Sequence, residues 1–324
     1  MRVMYQALRE LRSAPGRTAL ITVTIGLIAV LVTFLSALTS GLAHRSVSAL
    51  DEKLGDGTAL VLSDASSGSL SASRLTDAQV DELGGTALYI GRARIGDTPI
   101  IVMPDESLNA GEARITDALA DQAPVGSQTN IGDIAVTITG SAGDLWLDHQ
   151  PVVYLSTTDA KTIAGPAAAV ITREPAPTVA GTTVLTGHDR LKASASYAGE
   201  QASLGTMTSL LYVISALVVG AFFMVWTVQR LRSVAISGAL GASRRVLAAD
   251  SLGQAFAVLA LGIISGTAIT VGAGLAIPAE VPVSITVATT VVPGLILAMC
   301  GLMGAAMSLV PVLKAEPRAS LQNA

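Results

Sequence analysis

Polarity divides this 324-residue chain into four long apolar runs and the polar stretches between them. The runs cover 18–42, 205–228, 251–277 and 286–313. Each is almost free of charge and long enough to cross a bilayer, which takes about 20 apolar residues. The stretch from 43 to 204 has soluble character instead. The pattern predicts an α-helical membrane protein with four transmembrane helices plus a small extracellular α+β domain inserted between helices 1 and 2. Before the first run, residues 1–17 place Val3, Met4, Ala7, Leu8 and Leu11 at helical spacing, with arginines on the opposite face. That predicts an amphipathic helix on the inner membrane surface, ended by Pro15-Gly16.

Inside the inserted segment the period changes repeatedly. Thr58–Asp64, Asp133–Gly140, Pro151–Thr157 and Ala167–Arg173 read as strands. The segments on either side of Ile95-Gly96-Asp97 read as a hairpin. Leu75–Leu83 and Thr157–Gly165 read as short helices, the first with Thr76 as N-cap and Gln79 three residues on as a capping box. Ser63–Ser73 is rich in serine and glycine and is expected to be a mobile loop. From Asp189 the pattern turns helical and runs into the second span.

Charge sets the expected sidedness. The tail 1–17, the loop 229–250 and the tail 314–324 together hold ten basic and three acidic residues, net +7. The stretch 42–205 holds ten basic and twenty acidic residues, net −10. Lysine and arginine accumulate on the cytoplasmic side of membrane proteins. Both termini and the loop 229–250 are therefore expected inside and the inserted domain outside, with a short outer turn over 278–285. The basic side suits anionic membrane lipid and a cytoplasmic protein, and no nucleic-acid partner is expected. The formal net charge of −4 hides this opposition.

Several chemistries find no support. There is no GxxxxGK[ST], so no P-loop for ATP, and no HExxH or CxxC. Cys300 is alone, so no intrachain disulfide forms. His44, His149 and His188 lack metal-ligand spacing and are expected as solvated surface residues. No charge sits at mid-depth of a span, which argues against an ion relay. Transport by this chain then needs energy from elsewhere. Gly262 and Gly266 form a GxxxG pair in the third span, which permits close helix packing and, as one outcome, dimerisation.

The loop Val228–Gln254 is more than a connector. It carries Arg230, Arg232, Arg244 and Arg245 around a small apolar centre. Its sequence Arg232-Ser233-Val234-Ala235-Ile236-Ser237-Gly238-Ala239-Leu240-Gly241-Ala242-Ser243 resembles the loop motif of the MacB/FtsX-like permeases of ABC exporters. The tail Lys314-Ala315-Glu316-Pro317-Arg318-Ala319-Ser320-Leu321 is similar to that family's C-terminal ending, and the order of spans and inserted domain matches its layout. Ser233 stands where the family has an acid, and a usual basic residue near Gly238 is missing. Tyr197–Gln201, Leu211–Phe223 and Asp250–Gln254 narrow the likeness to actinobacterial haem-export permeases of the HrtB type.

The resemblance implies a non-catalytic permease subunit in a bacterial cell membrane, with both termini cytoplasmic. It implies a homodimer of this chain with two copies of a separate ABC ATPase, which binds the ATP. No intrinsic cofactor is implied; haem is the transported ligand. Arg232, Ala239, Gly241, Ala242, Ser243 and Arg244 are the expected ATPase-coupling residues. For haem, Glu200 is the favoured iron ligand, because a carboxylate one to two turns above an apolar run is partly desolvated and costly without a partner. Tyr197, Met207 and Phe34 are the expected companions. Export of another amphipathic substrate, such as a peptide, antibiotic or lipid, stays open. So does a non-transporting role relaying ATPase motion to a cell-wall hydrolase.

Overall fold

The computed structural model describes residues 15–229, 244–278 and 281–314. The expected N-terminal amphipathic helix, most of the coupling loop and most of the C-terminal tail lie outside the described residues. The chain divides into two compact units, one from Met1–Ser40 with Leu204–Ala324 and one from Gly41–Ser203.

Four helices carry the apolar runs: α1 (Pro15–Lys53), α4 (Ala195–Gln229), α5 (Arg244–Gly274) and α6 (Val287–Lys314). All four are long and apolar enough to cross a membrane. The first two run past the predicted spans. Helix α1 continues to Lys53, since Ser46, Val47, Ala49 and Leu50 give it a buried face beyond the apolar run. In the helical unit Ile21 and Ile25 of α1, Val219 and Phe223 of α4, Val258 and Leu259 of α5 and Ala305 of α6 form one core.

Small residues set the closeness of these helices. A Cβ on Gly262 would stand 2.6 Å from the Ile25 side chain, and one on Gly266 would strike the Gly26 carbonyl and Ala29. The GxxxG pair therefore faces α1 of the same chain, which is the close helix packing its spacing permits. Two turns along the same seam, the buried hydroxyls of Thr33 and Thr270 hydrogen-bond at 2.8 Å. A Cβ on Gly304 would lie 2.9 Å from the Ala216 carbonyl, bringing α6 and α4 together the same way. Without a hydrophobic drive between helices in lipid, such backbone approach is a main source of their attraction.

The sheet-rich unit has a four-stranded sheet in the order β11-β1-β10-β2, formed by β1 (Thr58–Ser63), β2 (Thr86–Leu88), β10 (Ala169–Arg173) and β11 (Thr182–Leu185). A second, seven-stranded sheet runs β3-β4-β9-β5-β7-β6, from β3 (Gly91–Ile95), β4 (Thr98–Pro104), β5 (Glu112–Ile115), β6 (Gln128–Ile131), β7 (Ile134–Ser141) and β9 (Gln150–Leu155). Two-residue β8 (Trp146–Leu147) pairs with β9. Helices α2 (Asp77–Leu83) and α3 (Thr157–Ala164) complete the α+β domain. In β1, Ala59–Leu62 are all fully buried, as expected of a central strand covered on both faces. The capping box of Thr76 and Gln79 forms as predicted.

One expectation fails here. Ser63–Ser73 is an ordered turn of chain. Leu70 and Ser73 are buried, the Leu70 amide donates to the Ala193 carbonyl at 2.8 Å, and the Ser73 hydroxyl accepts from the Ser63 amide at 2.9 Å. Serine hydroxyls serve the backbone in place of a ladder, so composition alone misjudged it.

Candidate functional site

The candidate site lies where α1 leaves the helical run and α4 begins. It is built on the tip of the β8–β9 hairpin. Leu147 pairs with Gln150, so Asp148 and His149 are the two-residue turn. Both have positive φ, 47° and 62°. That is the I′ pattern, whose twist matches the strands it joins. Asp and His tolerate the left-handed region better than most side chains.

The tip is held on both sides. The Asp148 amide donates to the Ser46 carbonyl at 3.0 Å and the His149 amide to the Arg45 carbonyl at 2.9 Å, both on α1. The Asp148 Oδ1 accepts from the hydroxyls of Ser194 and Ser196, each at 2.7 Å, at the start of α4. The His149 Nε2 meets the Glu200 Oε1 at 2.5 Å, and the Ser46 hydroxyl donates to the Glu200 Oε2 at 2.8 Å. Glu200 thus joins α4, α1 and the hairpin through its two oxygens. Its side chain is 25% exposed and that of His149 36%, so the pair is partly desolvated and open on one side. A carboxylate with this much burial needs the partners it has.

Neighbouring contacts extend the seam. His44 Nε2 meets the Asp144 carboxylate at 3.2 Å. The Arg45 guanidinium lies 4.8 Å from the Trp146 ring centroid, a cation–π contact. The Ser48 hydroxyl accepts from the Trp146 amide at 2.8 Å. Tyr197, one turn before Glu200, is buried, and its hydroxyl lies 3.1 Å from the His188 Nε2. The three histidines are exposed, as expected, and each also has a partner.

The sequence-predicted site residues divide between the units. Glu200 and Tyr197 lie in the sheet-rich unit, whereas Phe34 and Met207 lie in the helical unit as exposed apolar side chains, 36% and 56% exposed. Ser46 and His149 belong with Glu200 and were missed. They lie 154 and 51 residues from it in sequence, and no local motif links them. The usable signal was the polar Asp148-His149 pair between Trp146-Leu147 and Gln150, which lacks the glycine that usually marks such a turn. Among the described residues no three His, Cys, Asp or Glu side chains converge to hold a metal ion. Of the expected coupling residues, Arg232, Ala239, Gly241, Ala242 and Ser243 lie outside the described residues, and Arg244 is the first residue of α5.

Four apolar helices with a sheet-rich insertion between the first and second define a multi-pass membrane protein, and comparison assigns the helical part. Residues 205–317 match the FtsX-like permease C-terminal domain, so the chain carries that permease domain. The chain is 30% identical over 123 residues to the predicted hemin transport system permease protein HrtB of Staphylococcus haemolyticus, covering 38% of this chain and 35% of that protein. Two Staphylococcus epidermidis proteins of the same name match at 28% over 123 residues and 26% over 139 residues. Those alignments cover 38% and 43% of this chain, and 35% and 40% of the relatives. The chain thus spans little more than a third of the length of the curated relatives it matches. These relatives are staphylococcal, where the sequence motifs pointed to actinobacteria.

Proposed function

We propose that this chain is the membrane-spanning subunit of an ABC-type exporter that removes haem from the membrane. In this reading two copies of the chain work with two copies of a separate ATPase, and the chain itself catalyses nothing. The permease domain over 205–317 and the hemin-transport names of the relatives support it. The opposed charges, +7 against −10, support cytoplasmic termini and an outer sheet domain in a bacterial plasma membrane. ATPase motion enters through 229–250 and 314–324, with Arg232, Ala239, Gly241, Ala242, Ser243 and Arg244 as the coupling residues.

The observation that carries the substrate reading is Glu200. It is a half-buried carboxylate within a turn or two of a long apolar run, reached from outside through its exposed quarter. Haem combines a flat apolar ring with an iron that accepts oxygen ligands, so a carboxylate at an apolar margin suits it. Both Glu200 oxygens are engaged in the structure. An iron taking Oε1 displaces His149, while Ser46 continues to hold Oε2 in place. Tyr197, one turn before Glu200, remains a proposed haem contact, and Phe34 and Met207 remain the proposed apolar contacts of the helical unit.

Titrating the purified full chain with haem tests this. The wild type is expected to shift the Soret band saturably. Glu200→Ala should weaken binding about tenfold or more, the scale of one lost charged contact. Ser46→Ala, which only loosens Oε2, should weaken it less. Equal haem affinity in Glu200→Ala removes Glu200 from the site, and no saturable shift in the wild type removes haem as the substrate.

A further inference from the structure

The sheet-rich unit holds a second feature, on the other elements around the β8–β9 tip. A cleft of about 360 Å³ opens between the Ser69–Arg74 turn, the start of β3, the β8–β9 tip and the end of α3. Ligand pockets run from about 300 to 1,000 Å³, so it is of ligand size but at the small end. Its lining is mixed: Leu70, Ile90, Ile101, Leu147 and Ile163 give it an apolar side, and Ser71 and Asp148 a polar one. Leu70, Ile101 and Leu147 are part of the domain core, so these walls are rigid. Gly91 keeps β3 tight against α3, since a Cβ there would stand 2.8 Å from the Ile163 side chain.

Two arginines, Arg74 and Arg92, also line this cleft. They differ from three other cations of the domain. Arg114 pairs with Asp105, Lys161 with Asp77 and Lys192 with Asp189. The Arg74 guanidinium is held instead by the carbonyls of Ser71 at 3.1 Å and Ser73 at 2.6 Å, with no carboxylate on it. The Arg92 side chain has no hydrogen bond or ion pair among the described residues. Asp148, the acid among the lining residues, has its carboxylate on the hydroxyls of Ser194 and Ser196. Two cations without carboxylate partners thus line one cleft with an apolar side, in a domain with net charge −10.

We infer that this cleft binds a small anionic amphiphile. The apolar side of the cleft takes its tail, and Arg74 and Arg92 take its carboxylate or phosphate. Guanidinium groups suit both anions as planar, bidentate donors. The site is independent of the haem reading and survives its failure.

The test is photolabelling of the full chain in phosphatidylcholine nanodiscs with a diazirine-bearing dodecanoate, mapped by peptide mass spectrometry. Labels are expected in 70–74, 90–92 and 163–164. Excess dodecanoate should compete, and dodecanol should not. Competition by dodecanoate alone identifies a free fatty acid as the source of the anion; stronger competition by lysophosphatidate identifies a lipid phosphate. Arg74→Ala with Arg92→Ala should cut labelling about tenfold, and Arg74→Glu with Arg92→Glu at least as much. Arg94→Ala, whose guanidinium is bonded to the Asp97 carbonyl on the same strand, should change it less than twofold. All of these side chains are exposed, so the variants keep the fold, and circular dichroism checks this. Competition by dodecanol equal to that by dodecanoate, or labelling unchanged in both double variants, overturns the proposal.

Discussion

Asp105 follows β4 with a side chain only 14% exposed. Burial pushes its carboxyl upward, yet the hydroxyl and amide of Ser107, together with the Lys53 and Arg114 charges, hold it below the ordinary carboxylate value. A lowered folded value means that this stabilisation is present above the ordinary value of about 3.9 and is lost as pH falls through the lowered one. Asp105→Asn keeps the shape and an acceptor but removes the charge. It should cost about 1 kcal/mol at pH 7, the scale of one charged contact with Arg114 at 3.1 Å. The difference from wild type should shrink as pH drops below about 4, measured by chemical denaturation across that range. Tyr154 is a contrasting case. Its hydroxyl is buried with no hydrogen-bond partner among the described residues, and burial, followed by the Glu52 carboxylate, pushes its titration far upward. At this scale the sequence is partly legible. Glu200 could be singled out because a carboxylate beside an apolar run is conspicuous. Ser46 and His149 could not, since only the folded hairpin brings them to it.

Among the elements, α5 carries the clearest asymmetry. Gly266 is pressed against the Gly26 carbonyl and Ala29 of α1, while Gly272 has nothing within 4 Å of the position a Cβ would take. Alanine at 266 should therefore destabilise the helical unit by about 1–3 kcal/mol, the cost of overpacking a close contact. Alanine at 272 should be neutral or slightly stabilising, because alanine outranks glycine in a helix. Thermal unfolding of the two variants in one detergent compares them directly; equal stability would mean that α1 and α5 are not in close contact. The four long helices were legible because twenty apolar residues have few alternative fates. The central strands were legible from runs such as Ala59–Leu62. By contrast β5 and β11 have only four residues each, with mixed burial, and their pairing is fixed by partners distant in sequence. Ser63–Ser73 misled for the opposite reason: a flexible composition was fastened by Ser73 and by the Ala193 carbonyl.

For the whole molecule, the division of charge makes a topological prediction. With four spans, both ends and 229–250 should share one side, and the sheet-rich unit should lie on the other. The chain has a single cysteine, Cys300, in α6. In a Cys300→Ala background, Ser107→Cys should react with a membrane-impermeant maleimide added to intact cells, because the Ser107 side chain is on an exposed turn. Ser320→Cys in the C-terminal tail should react only after the cells are opened. The reverse pattern would overturn the proposed orientation. Composition points the same way as the loop and tail motifs, which is why the layout was legible before any contact was known. The contents of the junction of α1, α4 and the β8–β9 tip were not, since polar residues acquire their roles there through tertiary placement. The histidines turn that junction into something directly observable. All three in the chain, His44, His149 and His188, sit on the same seam and touch Asp144, Glu200 and Tyr197. Isotope labelling of histidine alone would give a nuclear magnetic resonance spectrum of three imidazoles, each reporting one stitch of that seam. The unmutated protein thus carries its own reporters for whether the junction loosens when a ligand or nucleotide is added.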